Sequence, residues 1–280
     1  MKNIFFIACM LSALVAQAQS KVGPDKGSLV IVGGGEIGPE IWAEFVKLAG
    51  GSKARIIYVP TAQEDSTIAR SQLRTIRKLR DAGAADVTVL HTRDPKVANT
   101  PAFTAPIRQA TGVWFEGGRQ WRIADAFLNT LTHREFNALL ARGGVIGGTS
   151  AGATIIGSFL VRGDTKGNTI LVGDHVEGLG FVRNVAIDQH LLKRNRQFDL
   201  VEVVRTRPEL LGIGIDESTA VIVSRDTFRV EGRSYVAIYD PARLTASPGP
   251  FFYLQAGQRF NLAERQVIPV PKPVSSTASN

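Results

Sequence analysis

Apolar strand-like segments alternate with helix-like segments through the first half of the chain, and this alternation constrains the fold more than any other feature. The predicted strands are Ser28–Val32, Arg55–Val59, Ala85–Leu90, Gly112–Phe115 and Gly144–Ile146. The predicted helices are Ile37–Leu48, Thr67–Ala82, Gln120–Leu128 and Arg134–Arg142. Such repetition, with nearly continuous apolar strands, is typical of an α/β protein whose mainly parallel sheet is covered by helices on both faces. Functional groups are then expected at the carboxyl ends of the strands.

The second half of the chain shows shorter predicted strands and more loops. These strands are Thr169–Val172, Val185–Ile187, Leu211–Ile215, Ala220–Val223 and Tyr235–Tyr239. We expect them to extend the same sheet, partly in antiparallel orientation. No linker rich in Pro or Ser interrupts the middle of the chain, so residues 19–270 are predicted to form a single α/β domain. The final segment, residues 271–280, is predicted to be a disordered tail.

The N-terminus has the features of a secretory signal peptide over residues 1–18. Lys2 precedes an apolar run over residues 4–15, and Ala16 and Ala18 form a small-x-small cleavage site. The apolar run is too short for a transmembrane helix, which needs about 20 residues. The sequence therefore predicts a secreted or periplasmic protein without a membrane anchor. The only cysteine, Cys9, lies in the segment that would be removed.

The formal net charge of +8 raises the question of a nucleic-acid partner. A dense basic stretch, Arg70–Arg80, spaces Leu73, Ile76 and Leu79 at three-residue intervals between its cations, as an amphipathic helix does. We interpret it as a solvated helix face and predict no nucleic-acid partner.

Residues 148–152, GTSAG, match the GxSxG pattern between a predicted strand and a helix-compatible run. In that context a sharp turn exposes the serine hydroxyl, and glycines are needed where the turn leaves no room for side chains. Ser150 is therefore the predicted nucleophile. A glycine-rich turn with a packing or phosphate-binding role is the alternative.

A serine nucleophile needs a base, and the sequence has four histidines. His190 follows the strand-like segment 185–187 and comes after Ser150 in the chain, as a Ser-acid-His order requires. His91 and His175 are weaker candidates, and His133 is expected on the surface. The acid stays open at this point between Asp164, Asp174, Glu177, Asp188 and Glu217. The spacing of the histidines does not resemble a metal site, and we predict no metal and no cofactor.

Two further motifs provide groups for binding. Backbone N–H groups of Ala151 and of the Gly117–Gly118 pair could stabilise a developing oxyanion. In the stretch DQHLLKRNR, residues 188–196, Arg194 and Arg196 could hold a carboxylate, while Asp188 and Gln189 could hold an amine or amide.

The ordered motifs VGGGE at Val32, FEGGRQ at Phe115, GGTSAGA at Gly147, IDQHLLKRNR at Ile187 and GIGIDESTA at Gly212 resemble the cyanophycinase and aspartyl dipeptidase family of serine peptidases, and more closely its cyanophycinase branch. The resemblance implies a three-layer α/β fold related to class I glutamine amidotransferases, a nucleophile elbow after a central strand, no metal, and a homodimer.

Carried over motif by motif, the resemblance implies Ser150 as nucleophile, His190 as base and Asp164 as acid, with Glu217 ranked second. With the elbow geometry, Gly118 and Ala151 would form the oxyanion hole. The implied pocket for a β-linked aspartyl residue consists of Gln120, Asp188, Gln189, Arg194 and Arg196.

The sequence departs from the family at two positions, where Arg119 replaces an acid and Asp199 replaces an arginine. We expect Asp199 to lie near Arg196, three residues away, and to leave Arg194 as the main carboxylate clamp.

These features predict a secreted serine peptidase that degrades cyanophycin, a polyaspartate with arginine joined through the β-carboxyl groups, to dipeptides by way of an acyl-enzyme. An exopeptidase for short Asp or isoaspartyl peptides is the alternative. A non-catalytic binding protein on the same fold is a third hypothesis, and the intact Ser150 and His190 argue against it.

Overall fold

The computed structural model describes residues 22–245 and 249–269, and within these ranges it contains fourteen strands and eight α-helices. The strands are β1 (Ser28–Val32), β2 (Arg55–Val59), β3 (Asp86–Val89), β4 (Gly112–Phe115), β5 (Val145–Thr149), β6 (Gly157–Phe159), β7 (Val182–Gln189), β8 (Leu211–Ile215), β9 (Thr219–Ser224), β10 (Thr227–Gly232), β11 (Tyr235–Tyr239), β12 (Phe252–Gln255), β13 (Arg259–Asn261) and β14 (Gln266–Ile268). The helices are α1 (Pro39–Leu48), α2 (Asp65–Asp81), α3 (Pro95–Ala98), α4 (Pro101–Gln109), α5 (Gln120–Phe127), α6 (Leu131–Ala141), α7 (Ala151–Thr154) and α8 (Asp199–Thr206).

Nine of these strands form the larger sheet, in the order β14-β13-β10-β9-β1-β5-β4-β2-β3. Strands β1, β5, β4, β2 and β3 pair in parallel, whereas β9 pairs with β1 in antiparallel orientation and β10, β13 and β14 continue outward from it. The carboxyl ends of β1, β4 and β5 therefore meet at one edge, in the middle of the sheet.

Helices cover both faces of the larger sheet. On one face, Val30 and Val32 of β1 pack with Ile41 and Phe45 of α1 and with Leu79 of α2. On the other face, the alternate β1 residues Leu29 and Ile31 belong to a cluster with α5 and α6, including Phe127, Phe136 and Leu139. Alternate side chains of one strand are thus buried on opposite sides, as a strand between two helical layers requires.

The smaller sheet has the order β12-β11-β8-β7-β6, in which β6, β7 and β8 are parallel. One face packs against α8, where Leu200, Val203 and Val204 contact Ala186 of β7 and Tyr239 of β11. Apolar side chains of its other face belong to the same cluster as Leu29 and Ile31 of β1; they include Val185, Ile187, Ile213 and Ile238.

Local sequence signals account for several helix starts. Pro39, Pro95 and Pro101 lie in first turns, where proline costs no hydrogen bond because those N–H groups have no partner within the helix. The side chains of Asp94 and Thr130 accept hydrogen bonds from the first-turn N–H groups of Lys96 and His133.

The predicted α/β class with a mainly parallel sheet between helical layers is confirmed, but the second half of the chain differs from the prediction. Only some of its strands extend the first sheet; β7, β8 and β11 belong to the smaller one. Residues 169–172, predicted as a strand, form turns and irregular structure. Their apolar residues lie partly exposed in a loop, so the short apolar run was misleading.

The basic helix was predicted correctly, and its buried face was predicted in part, since Leu79 is buried and Ile76 packs against the core. Leu73 is 73% exposed, whereas Ser71, Thr75 and Leu79 are buried. These three residues are spaced by four, so they share one side of the helix. The two polar residues of this face hydrogen-bond buried side chains beneath it.

The predicted signal peptide and the predicted disordered tail lie outside the described residues, and the single-domain assignment stays a prediction. Among the described residues, no helix is both long enough and apolar enough to cross a membrane.

Candidate active site

Ser150 lies in a strained turn between β5 and α7. Its backbone has φ 54° and ψ −115°, a conformation that costs a non-glycine residue on the order of 1–3 kcal/mol. The Ser150 N–H donates to the carbonyl oxygen of Val32 at 3.0 Å, which ties the turn to the end of β1. A Cβ at Gly152 would overlap the carbonyl oxygen of Phe115, and one at Gly148 would overlap that of Gly152. The flanking glycines are therefore required by close backbone approach.

His190 is the histidine that meets this serine. Its Nε2 lies 2.9 Å from Ser150 Oγ. It follows the end of β7 with φ 54°, and its N–H donates to the carbonyl oxygen of Gly33 at 2.8 Å. The ring packs against Gly34, where any Cβ would overlap the imidazole. The glycine run after β1 is thus needed to make room for the histidine.

The acid beside His190 is Glu217 rather than the predicted Asp164. Glu217 Oε1 lies 2.6 Å from His190 Nδ1. The Asp164 carboxylate instead accepts from the N–H groups of Lys166 at 2.8 Å and Asp174 at 3.3 Å, so it orders its own loop. The assignment of Asp164 is corrected for a topological reason. β7 and β8 are parallel neighbours, so residues just beyond their carboxyl ends, His190 and Glu217, come together.

The other histidines have partners elsewhere among the described residues. His91 hydrogen-bonds Thr61, His175 contacts Asp125 and Asp174, and the ring of His133 donates to the carbonyl oxygen of Leu179. His133 was expected on the surface but is partly buried, because its ring packs against Phe181.

Burial lowers the pKa of His190. The hydrogen bond to Glu217 acts in the opposite direction, and the positive charges of Arg194 and Arg196 add to the lowering. A lowered pKa keeps the imidazole neutral near pH 7, and a neutral Nε2 can accept the proton of the serine hydroxyl.

The predicted oxyanion donors lie beside the serine. A Cβ at Gly117 would be 3.3 Å from Ser150 Cβ, so the turn after β4 packs directly against the nucleophile. Gly118 has φ 144°, and among the described residues its N–H has no hydrogen-bond partner. Ala151 begins α7, and N–H groups of a first helical turn have no partner within the helix.

A buried cluster of charges lies after the end of β7. Asp188 is fully buried, and its carboxylate accepts from Nε and Nη2 of Arg162 at 2.8 and 2.9 Å. Arg196 Nη1 is 3.5 Å from the same carboxylate and donates to the backbone oxygen of Gln189 at 3.0 Å. Arg162, which sequence reasoning missed, is a central member of this cluster. Its backbone has a positive φ of 57°, a conformation for which the sequence contains no signal.

Of the remaining predicted pocket residues, Gln189 and Gln120 have hydrogen-bond partners within the protein, whereas Arg194 is exposed. Gln189 Oε1 accepts from Arg196, and the buried Gln120 donates to the carbonyl oxygen of Val161 at 2.8 Å. Arg194 is exposed and makes no ion pair among the described residues. Because the Asp188 oxygens are already engaged by Arg162, Asp188 orients arginines rather than offering a free carboxylate.

Asp199 lies near Arg196, as expected, but the two side chains do not form an ion pair. The Asp199 N–H donates to the carbonyl oxygen of Arg196 at 3.0 Å. Asp199 forms an ion pair with Arg162 Nη2. The expectation assumed a helix through residues 194–199, but α8 begins only at Asp199. Burial lowers the pKa of Arg196 to about 10, with the Asp188 charge opposing and the Arg162 charge reinforcing the effect, so Arg196 stays cationic at neutral pH.

Over the parts of the chain that the structure describes, no group of three or more His, Cys, Asp or Glu residues could hold a metal ion. The absence of a metal and of a cofactor stays a prediction.

Known proteins match this chain over most of its length. The pattern of peptidase family S51 matches residues 29–231. A cyanophycinase from Trichormus variabilis is 34% identical over 274 residues, covering 90% of this chain and 91% of the relative. A cyanophycinase from Geminocystis herdmanii is 33% identical over 223 residues, covering 77% and 81% of the two chains.

Two solved structures share the fold. A peptidase from an acI-B1 actinobacterium superposes with a TM-score of 0.68 at 24% identity, over 87% of this chain and 98% of that one. A putative peptidase E protein from Listeria monocytogenes gives a TM-score of 0.55 at 16% identity, over 74% and 99%. The fold, the serine elbow and the sequence relatives agree, and the chain belongs to peptidase family S51, a family of serine-type peptidases.

Proposed function

We propose that this peptidase hydrolyses cyanophycin, cutting the polyaspartate backbone to release β-aspartyl-arginine dipeptides. The observation that carries the proposal is the hydrogen-bonded series Ser150–His190–Glu217, whose histidine lies near the positive charges of Arg194 and Arg196. Such a series can activate a serine hydroxyl.

In the proposed reaction, His190 Nε2 takes the proton from Ser150 Oγ while Oγ attacks the carbonyl carbon of the scissile bond. The N–H groups of Gly118 and Ala151 stabilise the negative charge that develops on the carbonyl oxygen. His190 then gives its proton to the departing amine, which leaves an ester on Ser150. Water attacks this acyl-enzyme with His190 again as base, and Glu217 keeps the imidazole oriented throughout.

The cations near the site suit the chemistry of the polymer. Each arginine branch of cyanophycin bears a free α-carboxylate, and guanidinium groups bind carboxylates with two parallel hydrogen bonds. Arg194 is exposed, whereas Arg196 is buried and donates to the side-chain oxygen of Gln189. The relatives that are about a third identical over most of the chain are cyanophycinases, which supports the same substrate.

A second candidate is an exopeptidase for short Asp or isoaspartyl peptides. The position of Asp199 favours it, because its negative charge acts on Arg196 and disfavours a second carboxylate there. A single carboxylate would then be held mainly by the exposed Arg194.

We also propose that the protein is exported and acts as a homodimer. The N-terminal pattern of Lys2, an apolar run and Ala16-Gln17-Ala18 supports export, and the family resemblance supports the dimer. N-terminal sequencing of protein recovered from outside the cytoplasm is expected to begin at Gln19; an N-terminus that retains residues 1–18 would contradict cleavage.

Incubation of the purified protein with cyanophycin is expected to release β-aspartyl-arginine dipeptides, identified by mass. Ser150→Ala, as the matched control, is expected to lose activity on the order of a million-fold with its fold unchanged. Turnover of isoaspartyl dipeptides without release from the polymer would favour the second candidate. Activity of the Ser150→Ala variant above a few per cent would exclude Ser150 as the nucleophile.

Glu217→Gln is expected to lower kcat by on the order of 10³ to 10⁴-fold, because the amide no longer keeps the imidazole in the required tautomer or stabilises its protonated form. Asp164→Asn, the control, keeps an acceptor for the Lys166 N–H and is expected to change kcat little. Steady-state kinetics of both variants on one substrate provide the comparison. A larger loss in Asp164→Asn than in Glu217→Gln would return the acid role to Asp164.

The acid limb of the pH profile is expected to move upward in Arg194→Gln. A positive neighbour disfavours the imidazolium, so removing it raises the pKa of His190, and the neutral base is then lost at a higher pH. The rate of Ser150 labelling by a neutral fluorophosphonate, measured against pH, tests this without relying on substrate binding. Lys193→Gln removes an adjacent cation and is the control. Identical limbs in the Arg194 variant and the wild type would contradict the assigned electrostatics.

A further inference from the structure

Glu116 is a buried acid for which the proposed reaction has no role. It follows β4 directly, precedes the Gly117–Gly118 pair and is 5% exposed. Among the described residues it forms no ion pair, although buried carboxylates are usually paired with a cation.

Three hydrogen bonds take the place of a counter-charge. Glu116 Oε2 accepts from the hydroxyl of Thr75 at 2.6 Å and from that of Tyr58 at 3.2 Å. Glu116 Oε1 accepts from the backbone N–H of Gly117 at 3.0 Å. Thr75 is thus a polar residue on the buried face of α2 because it supports this carboxylate. Burial, together with the negative charge of Glu116, raises the pKa of Tyr58, so its hydroxyl stays a donor.

The hydrogen bond to Gly117 acts directly on residues 116–119, the turn that contains the predicted oxyanion donor Gly118 and is called the oxyanion turn below. This turn is tied at its start by the Glu116 N–H to the carbonyl oxygen of Val59 at 3.0 Å, and at its end by the Arg119 N–H to that of Ala62 at 2.7 Å. Between these two hydrogen bonds, the Gly117 N–H donates to the Glu116 carboxylate, and the Gly118 N–H has no partner among the described residues. Without a side chain of their own, the two glycines depend on such bonds to hold one conformation.

From these contacts we infer that Glu116 is a positioning residue, whose carboxylate holds the Gly117–Gly118 turn so that the Gly118 N–H faces the carbonyl oxygen of the substrate. The inference rests on the proposed function. Glu116 itself does not touch the substrate. Thr75 of α2 holds its carboxylate in place, and the carboxylate in turn holds the oxyanion turn.

Two variants of similar size separate the hydrogen bond from the packing. Glu116→Gln keeps an oxygen that can accept from Gly117, while its amide nitrogen can donate to the hydroxyls of Thr75 and Tyr58. Glu116→Leu keeps most of the volume and removes the acceptor. Losing one oxyanion donor outright costs roughly 10² to 10³ in kcat, so a misaligned donor is expected to cost roughly 10 to 100-fold.

The measurements are kcat, KM and the rate of Ser150 labelling by a fluorophosphonate. In Glu116→Leu, kcat and the labelling rate are expected to fall together while KM changes little. Glu116→Gln is expected to keep most of the wild-type kcat and labelling rate. An unchanged labelling rate in Glu116→Leu would overturn the inference, as would equal losses in the two variants or an effect on KM alone.

Thr75→Val is measured in parallel. It tests the positioning role of Glu116 if Glu116→Leu does not fold, as judged by circular dichroism. It removes one donor to Oε2 and leaves the bond from Gly117 intact, so a smaller loss of kcat at unchanged KM is expected; a wild-type kcat would then count against the inference. If the wild-type protein is not labelled at Ser150, the proposed function itself fails, which is distinct from failure at Glu116.

Discussion

The close approach of the Gly33–Gly35 turn to the ends of β7 and β8 is the constraint on which the site depends. Ser150 comes from the larger sheet, whereas His190 and Glu217 come from the smaller one. The glycine turn lies between them: Gly33 accepts the His190 N–H, and Gly34 accepts the Ser218 N–H at 2.9 Å. A Cβ at Gly35 would come within 2.7 Å of Glu217 Oε2. Backbone alone fits in this space, so the serine and its two partners can meet only where side chains are missing.

The two residues that share the serine proton both have unfavourable backbone conformations. Ser150 and His190 each have φ near 54°, and each is held by a hydrogen bond from its own N–H to the β1 end or the turn that follows it. Strain of this kind persists only when the surroundings over-determine the conformation. Here the strands and the glycine turn do so, and both side chains therefore arrive at hydrogen-bonding distance already oriented.

Buried charges are stabilised differently next to His190 and next to the oxyanion turn. Next to His190, Arg162, Asp188 and Arg196 compensate one another, and the desolvation of each is offset by direct ion pairs. Next to the oxyanion turn, Glu116 has neutral donors only. In the first arrangement, each buried charge lies next to an opposite one. The second provides a fixed acceptor beneath the oxyanion turn without placing a cation there.

The sequence alone determined the alternating parallel architecture, the elbow at Ser150 and the glycines around it, because periodicity and consecutive residues contain that information. It also singled out His190 through its place after an apolar segment. The partner of His190 was decided only by the tertiary structure, since Glu217 is 27 residues away and reaches it because β7 and β8 are parallel neighbours. The same holds for the pairing of Arg162 with Asp188 and Asp199, and for the contact of Thr75 with Glu116 across 41 residues. Each of these contacts joins elements that are distant in the chain, and a local pattern contains no information about which of several carboxylates the fold will bring within reach.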